Sequence, residues 1–296
     1  MDTRELVDPA FFSRLESIQL RARSIVEGFL HGLHRSPYVG FSVEFSSHRE
    51  YVPGDDPRHV NWKVFARHRR LYVKQYDAET NMNVYLLLDV SGSMHCANTG
   101  RSKLHYGSAL AAALAHLALK QRDAVGLTLF ADCVVSHLAP RAKPHQLDDI
   151  LHVIAANRAR PVSDASRALH EAAELATRRG MVVIISDLFD EIPAIMSGLE
   201  HLRFKNHEVL ILHVLDPWER DLPLEGNIRF RDLETQETLT TQAEGIREQY
   251  QKAVHQWRTA LDAECRNRAV DRIEMTTDDP LDQVLLDYLV KRSKSY

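Results

Sequence analysis

The chain is poor in cysteine, has no long apolar run and carries no large excess of charge of either sign. Its three cysteines, Cys96, Cys133 and Cys265, are odd in number, far apart and in no C-x-x-C arrangement. That argues against a disulfide framework or a structural zinc and fits a reducing cytosol. The longest weakly interrupted apolar stretch, Ala109 to Leu119, is about half the roughly twenty residues that a membrane-spanning helix needs, and His116 breaks it. No bilayer span is expected. The first residues, Met-Asp-Thr-Arg-Glu-Leu, lack the basic n-region and apolar h-region of a signal peptide, so export by that route is not expected either. A formal net charge of -4 gives no general drive toward nucleic acid or anionic membrane. Internal repeats and low-complexity segments are missing as well.

What is present is a globular composition. With 296 residues and 44% hydrophobic content, the chain can build one large domain plus an appendage, or two modest domains. Its centre is Asn83 to Met94, Asn-Val-Tyr-Leu-Leu-Leu-Asp-Val-Ser-Gly-Ser-Met. The apolar run Val84 to Leu88 reads as a strand buried on both faces, and Asp89 sits where that strand leaves the core. Beyond it Asp89, Ser91 and Ser93 alternate with Val90 and Gly92, which in an extended or tightly looped backbone turns three oxygen-bearing side chains toward one side. Three hard oxygen donors at one point suit a hard divalent cation such as Mg2+. Open α/β sheets also bind their ligands outside the carboxyl ends of strands.

The flanking pattern supports that placement. Asp8-Pro9 opens an expected helix whose apolar positions Phe11, Leu15, Ile18, Ala22, Ile25 and Phe29 recur at spacings of four and three. A short strand is expected over Phe41 to Phe45, a structured loop over Arg49 to Trp62, a helical turn over Lys63 to His68, and a strand over Leu71 to Asp77. From Asn83 the pattern becomes strand, helix, strand, helix. Helices are expected over 104–121, 144–156, 165–179, 193–204, 245–268 and 280–291. Strands are expected over 124–130, 134–138, 181–186, 208–215 and 270–276, with a loop over 217–223 and a hairpin near 228–240.

Asp89-x-Ser91-x-Ser93 after a hydrophobic strand resembles the metal-ion-dependent adhesion site of von Willebrand factor A domains. That resemblance implies two further contributors: a Thr or Ser in a later loop, whose counterpart is Ser163, and an Asp ending the fourth strand, whose counterpart is Asp187. Ser163 departs from the commoner Thr, and Pro161-Val162 replaces the usual small Gly-rich approach. Upstream, Arg49-Glu-Tyr-x-x-Gly-Asp-x-x-Arg58-x-x-x-Trp62, then Ala66-Arg67 and Leu71-Tyr-Val, is similar to the signature of the bacterial domain-of-unknown-function family fifty-eight. That family joins such a segment to a von Willebrand A-like domain. The two blocks cover about two thirds of the chain.

The resemblance implies an α/β fold, a doubly wound and mostly parallel sheet flanked by helices, with an N-terminal helix and β segment packed on it. Residues 1–80 are expected to form the family-specific segment and residues 81–296 the von Willebrand A-like domain with a C-terminal extension. It also implies a non-enzymatic adaptor or co-chaperone of a MoxR-type AAA+ ATPase, from a soluble branch of the family. The metal set is Asp89, Ser91, Ser93, Ser163 and Asp187, holding Mg2+ or another divalent cation such as Mn2+ or Ca2+. One open position would accept an Asp or Glu carboxylate from the partner. Ser186 and the helix N-terminus after the loop are candidates to orient these ligands.

Blander readings stand beside these. Ser91, Ser93, Ser163 and Asp187 can be helix caps. A Mg2+-dependent phosphohydrolase of the haloacid dehalogenase kind also places an Asp after its first strand. Such enzymes resemble one another in a second Asp two residues on, where this chain has Ser91, so Asp89 lacks a proton donor. Val-Ser-Gly-Ser-Met is not the G-x-S-x-G elbow of a serine hydrolase. The sixteen histidines include His31 and His34 on one face and His95 with Cys96 beside the loop, without zinc spacing. Lys63, Arg67, Arg69, Arg70 and Lys74, with Trp62, Phe65 and Tyr72, form a patch that can meet phosphates or pair with Glu50, Asp55 and Asp56. A solvated rim or such ion pairing is the preferred reading, and no nucleic-acid partner is expected. The cluster Arg49, Glu50, Asp55, Arg58 and Trp62 either braces the appended segment or meets a partner.

Overall fold

The structure is a computed structural model, and it describes residues 43–51, 61–68, 70–78, 82–98, 100–143, 145–157, 164–231 and 237–281. These fall into two compact units, one within residues 31–81 and one from residue 82 on. The expected helices over 8–35 and 280–291, most of the loop before Trp62, and Ser163 lie outside the described residues.

In the smaller unit, β1 (Val43–Glu50) pairs antiparallel with β2 (Tyr72–Ala78), with a register shift between Phe45 and Ser47. The expected strand over Phe41 to Phe45 therefore runs further, and Arg49 and Glu50 belong to it rather than to the loop. Between the strands lies α1 (Trp62–His68). The Asn61 carboxamide oxygen accepts from Val64 N–H at 3.3 Å at its start. Trp62 and Phe65 meet edge to face at 6.1 Å, and both are exposed. Arg70 lies 3.5 Å from Glu50, the pairing expected for that patch. With both side chains in solvent, the contact contributes little.

The larger unit is built on one six-stranded sheet. In chain order its strands are β3 (Asn83–Asp89), β4 (Ala124–Phe130), β5 (Val134–Arg141), β6 (Gly180–Ser186), β7 (Glu208–Leu215) and β10 (Asp271–Thr276). Across the sheet they run β10-β7-β6-β3-β4-β5. All neighbours are parallel except β4 and β5. Parallel strands need crossover connections, and the intervening helices supply them: α2 (Lys103–Lys120), α3 (Gln146–Ala156), α4 (Ala165–Leu175), α5 (Ile192–Phe204) and α7 (Ala243–Asn267). This is the expected doubly wound, mostly parallel sheet flanked by helices.

Helices on both faces explain why the central strands read as unbroken apolar runs. Tyr85 and Leu87 point into a core with Leu169, Ala172, Ile195 and Leu199 of α4 and α5 and with Leu261 and Cys265 of α7. Leu88 and Ile185 face the other way, onto α2, where a Cβ added at Gly107 would lie 3.1 and 3.0 Å from them. The buried alanines of α2, Ala111, Ala112, Ala113 and Ala115, let that helix lie close to the sheet. Each fully buried Leu or Ile contributes about 1.5–3 kcal/mol, so the β3–β6 pair is held mainly by apolar burial on both faces.

Several boundaries differ from expectation for physical reasons. β5 extends past Leu138 to Arg141 because it is the antiparallel edge, where Pro140 need not donate to a neighbour. Gly126 permits the approach, since a Cβ there would come within 2.6 Å of Leu138 O. α4 ends at Leu175, not Arg179. Distant groups take over the following backbone: the His207 ring donates to Ala176 O at 3.0 Å, and Tyr85 O–H donates to Arg178 O at 2.9 Å. Gly180 is the first residue of β6, where a Cβ would lie 2.1 Å from Asn83 O.

The expected loop over Pro217 to Pro223 contains the short helix α6 (Pro217–Asp221), closed at its start by a capping box between Asp216 and Glu219. A two-stranded hairpin follows, β8 (Asn227–Arg231) with β9 (Thr238–Gln242), as expected.

Candidate functional site

The strand order reverses between β3 and β6. From β3 the chain moves outward through α2 to β4, and from β6 it moves the other way through α5 to β7. Loops after two such strands diverge and leave a crevice at their carboxyl ends. Asp89 is the last residue of β3 and Asp187 the first after β6, so the strand order sets both carboxylates at this crevice. Both are buried.

Asp89 is held from both sides by neutral donors. Ser91 N–H donates to its Oδ1 at 2.9 Å, and Ser186 O–H donates to its Oδ2 at 2.6 Å. Ser186 Oγ in turn accepts from Leu188 N–H at 2.9 Å, so β6 fixes the carboxylate of β3. The expectation that Ser186 orients a ligand matches this geometry. The loop is tied to the next strand by Val90 N–H donating to Phe130 O at 2.8 Å. Burial pushes the Asp89 carboxyl up to about 7, the nearby Asp187 charge adds to the rise, and the bonds from Ser186 and Ser91 oppose it.

Ser91 and Ser93 are not helix caps. The 3₁₀ turn Ser93–His95 has no side-chain cap, and Ser102, not either serine of the motif, caps α2 by accepting from His105 N–H at 3.1 Å. Instead the Ser91 and Ser93 hydroxyls face each other at 3.1 Å. Ligands about 2.0–2.1 Å from Mg2+ in an octahedron stand about 3 Å apart along each edge, so the two hydroxyls are already spaced as neighbouring ligands. With Asp89 beside them the donor set is hard oxygen throughout and fits Mg2+. Mn2+ or Ca2+ would find the same oxygens.

Asp187 is in a different state. Its Oδ2 lies 2.6 Å from the ammonium of Lys103, whose side chain is fully buried, and the same ammonium lies 2.6 and 2.8 Å from the two oxygens of Glu219. Burial alone would lower the Lys103 pKa, but Asp187 and Glu219 together hold it above its usual value. For Glu219 burial dominates and raises the carboxyl, with Lys103 opposing. The ammonium also sits 5.0 Å from the Phe189 ring centroid. The remaining oxygen, Asp187 Oδ1, meets only a long contact of 3.4 Å from Phe189 N–H.

Two further contacts steady this half. His213, buried and pushed down to about 4 by burial and by Arg272, is neutral and donates through Nε2 to Asp187 O at 2.8 Å. Asp216 accepts from Asn98 N–H at 3.0 Å, which joins the β3 loop to α6.

Sequence reasoning brought Asp89, Ser91, Ser93 and Asp187 to one place, and the fold does so too. Ser163 lies outside the described residues. Its neighbour Asp164 starts α4 by accepting from Arg167 N–H at 2.9 Å, and Ala165 N–H donates to Asp190 of the loop after Asp187 at 3.2 Å. Lys103, Asp216 and Glu219 were missed. The Asp-Pro-Trp-Glu run carried a capping-box signal for the last two. Lys103 carried none, because its partners are 84 and 116 residues away. Among the described residues no group of three or more His, Cys, Asp or Glu side chains is arranged to hold a metal, so serine hydroxyls are required for any cation here. No helix among them is long and apolar enough to cross a membrane.

This chain is similar to an uncharacterized protein of Mycobacterium bovis, 29% identical over 236 residues, which are 78% of this chain and 73% of that one. An uncharacterized protein of Mycobacterium tuberculosis matches to the same extent. Among solved structures, the conserved hypothetical protein BatB from Bacteroides thetaiotaomicron aligns with a TM-score of 0.46 at 17% identity, over 73% of this chain and 100% of its own. The SpRpn10 VWA domain aligns with a TM-score of 0.40 at 12% identity, over 72% and 95%. The profile of the family described as "Protein of unknown function DUF58" matches residues 47–260, and the chain belongs to that family.

Proposed function

We propose that this protein is a non-enzymatic interaction module that binds a protein partner through a divalent cation, Mg2+ in the first place. Asp89, Ser91, Ser93 and Asp187, with Ser163 as the expected fifth contributor, would hold it. When bound, the cation supplies a Lewis-acidic position for a carboxylate from an Asp or Glu of the partner. The observation that carries the reading is the buried Asp89 carboxylate at the crevice between β3 and β6, held by the Ser91 amide and the Ser186 hydroxyl, in the loop where the Ser91 and Ser93 hydroxyls stand 3.1 Å apart. A buried carboxylate without a cation is costly, and the buried ammonium of Lys103 is bound to Asp187 and Glu219.

This chain's residues divide the work. Ser186 and the Ser91 amide orient Asp89. Lys103 neutralises much of Asp187, which leaves the site with little negative charge and therefore electrophilic toward an incoming carboxylate. Asn98 and Asp216 keep the motif loop against α6.

The partner that the family resemblance suggests is a MoxR-type AAA+ ATPase. The test is binding of the purified chain to such an ATPase from the same genome, followed by surface plasmon resonance. Binding of wild type, with Asp89→Ala folded but at least tenfold weaker, supports the reading. Equal binding of both proteins removes the cation from the mechanism. The mutant arm decides, because chelation alone would also strip Mg2+ from the ATPase nucleotide.

A further inference from the structure

Beside the site a groove of about 270 Å³ opens between the loop after β6, the end of β7 and one face of α7. Phe189, Leu215, Tyr250, Val254 and Trp257 supply its apolar lining. Phe189 is 47% exposed although it lies two residues from Asp187. Its ring stacks on Trp257 at 5.9 Å with 22° between planes, which holds it in place. The Phe189 ring also carries the Lys103 ammonium, so groove and site share a wall.

The polar groups at the rim are already engaged. Asp190 accepts from Ala165 N–H and from Glu191 N–H at 3.2 and 2.7 Å. Tyr250 O–H donates to Glu219 O, Glu219 holds Lys103, and Arg258 pairs with Glu274. A polar occupant would lose water without finding partners, whereas an apolar one loses nothing. The volume lies just below the roughly 300–1,000 Å³ usual for cofactor or drug-sized ligands and has room for a bulky apolar side chain.

We propose that this groove receives a bulky apolar side chain, Leu, Ile, Met or Phe, of the same partner segment whose carboxylate the cation site binds. The recognised element is then a short acidic and apolar stretch. Phe189 is two residues from Asp187, and an extended chain covers about 3.3–3.6 Å per residue, so the two anchors fall within about three residues of each other. The inference rests on the cation-site reading above. The site accepts the carboxylate and the adjoining groove accepts only apolar surface, which fixes the occupant as a partner segment of mixed character.

The experiment pans a displayed random dodecapeptide library on the purified full chain in Mg2+. Selected peptides are then measured by fluorescence polarisation against wild type, Asp89→Ala and Ala253→Trp. Ala253 is an exposed residue of α7 that lines the groove, so a Trp there fills it without touching the core. The expected result is enrichment of Asp or Glu with a bulky apolar residue within about three positions. Affinity should be lost in chelator and in Asp89→Ala, and should fall about tenfold or more in Ala253→Trp with Mg2+ binding unchanged. Val254→Lys should act in the same direction. Acidic peptides with no apolar preference, indifferent to Ala253→Trp, overturn the groove inference and leave the cation site standing. Apolar peptides indifferent to chelator overturn the cation site and with it the paired recognition. No enrichment over an unrelated protein overturns the inference.

Discussion

Asp89 and Asp187 occupy equivalent places, each at the carboxyl end of a buried strand, yet the fold treats them oppositely. Around Asp187 the chain supplies its own cation, with Lys103 at 2.6 Å, Glu219 sharing it and a neutral His213 fixing the backbone. Around Asp89 it supplies only hydroxyls and an amide. One half of the crevice carries its own ammonium, and in the other the described donors to the carboxylate are neutral. A site whose two carboxylates were both neutralised internally would bind nothing. One with neither neutralised would hold a cation so tightly shielded that it would have little attraction left for a partner.

The largest way to break the comparison is to remove the internal cation. Lys103→Met leaves Asp187 and Glu219 buried without a counter-charge and is expected to cost about 3–5 kcal/mol in urea unfolding. Saturating Mg2+ should restore part of the loss. A loss below about 1 kcal/mol would mean that the two halves do not differ as described.

On the other half the expected signature is a pH dependence. The Asp89 carboxyl is held near 7 in the metal-free fold, against the usual carboxylate range when unfolded. The folded state therefore binds the proton more tightly. Stability is fully present at acid pH, falls as pH rises from about 4 to about 7, and is flat above. The drop is on the order of 3–4 kcal/mol. Denaturation in chelator at pH 4 and pH 8 measures it, and Asp89→Asn should flatten the curve.

Ser91→Ala and Ser93→Ala sharpen the same contrast. Each deletes one hydroxyl donor and should weaken Mg2+ about tenfold by isothermal titration while changing stability little. Smallest is Asp123, remote from the crevice, where burial raises the carboxyl to about 6 against a bond from Met82 N–H. It contributes the same sign of pH dependence between about pH 4 and 6, smaller than that of Asp89 and unaffected by Mg2+.

Much of this was legible in the chain because parallel strands covered on both faces leave long apolar runs. Ala124–Phe130 and Glu208–Leu215 fall where the runs do, and Asp89 and Asp187 stand out as the first charges after the runs of β3 and β6. What stayed hidden was held by partners remote in sequence. α4 ends early because Tyr85 and His207 capture its last turn, and Lys103 looks like an ordinary first residue of an Ala-rich helix until β6 and α6 are folded against it. The asymmetry between the two carboxylates could not be read from either motif alone.

The central claim is tested most directly by isothermal titration of Mg2+ into the metal-free protein, wild type beside Asp89→Ala, with circular dichroism to confirm that both are folded. The account predicts saturable one-site binding by wild type, with proton release near pH 7 as the cation displaces the Asp89 proton, and none by the variant. No binding by wild type, or equal binding by both, would contradict it.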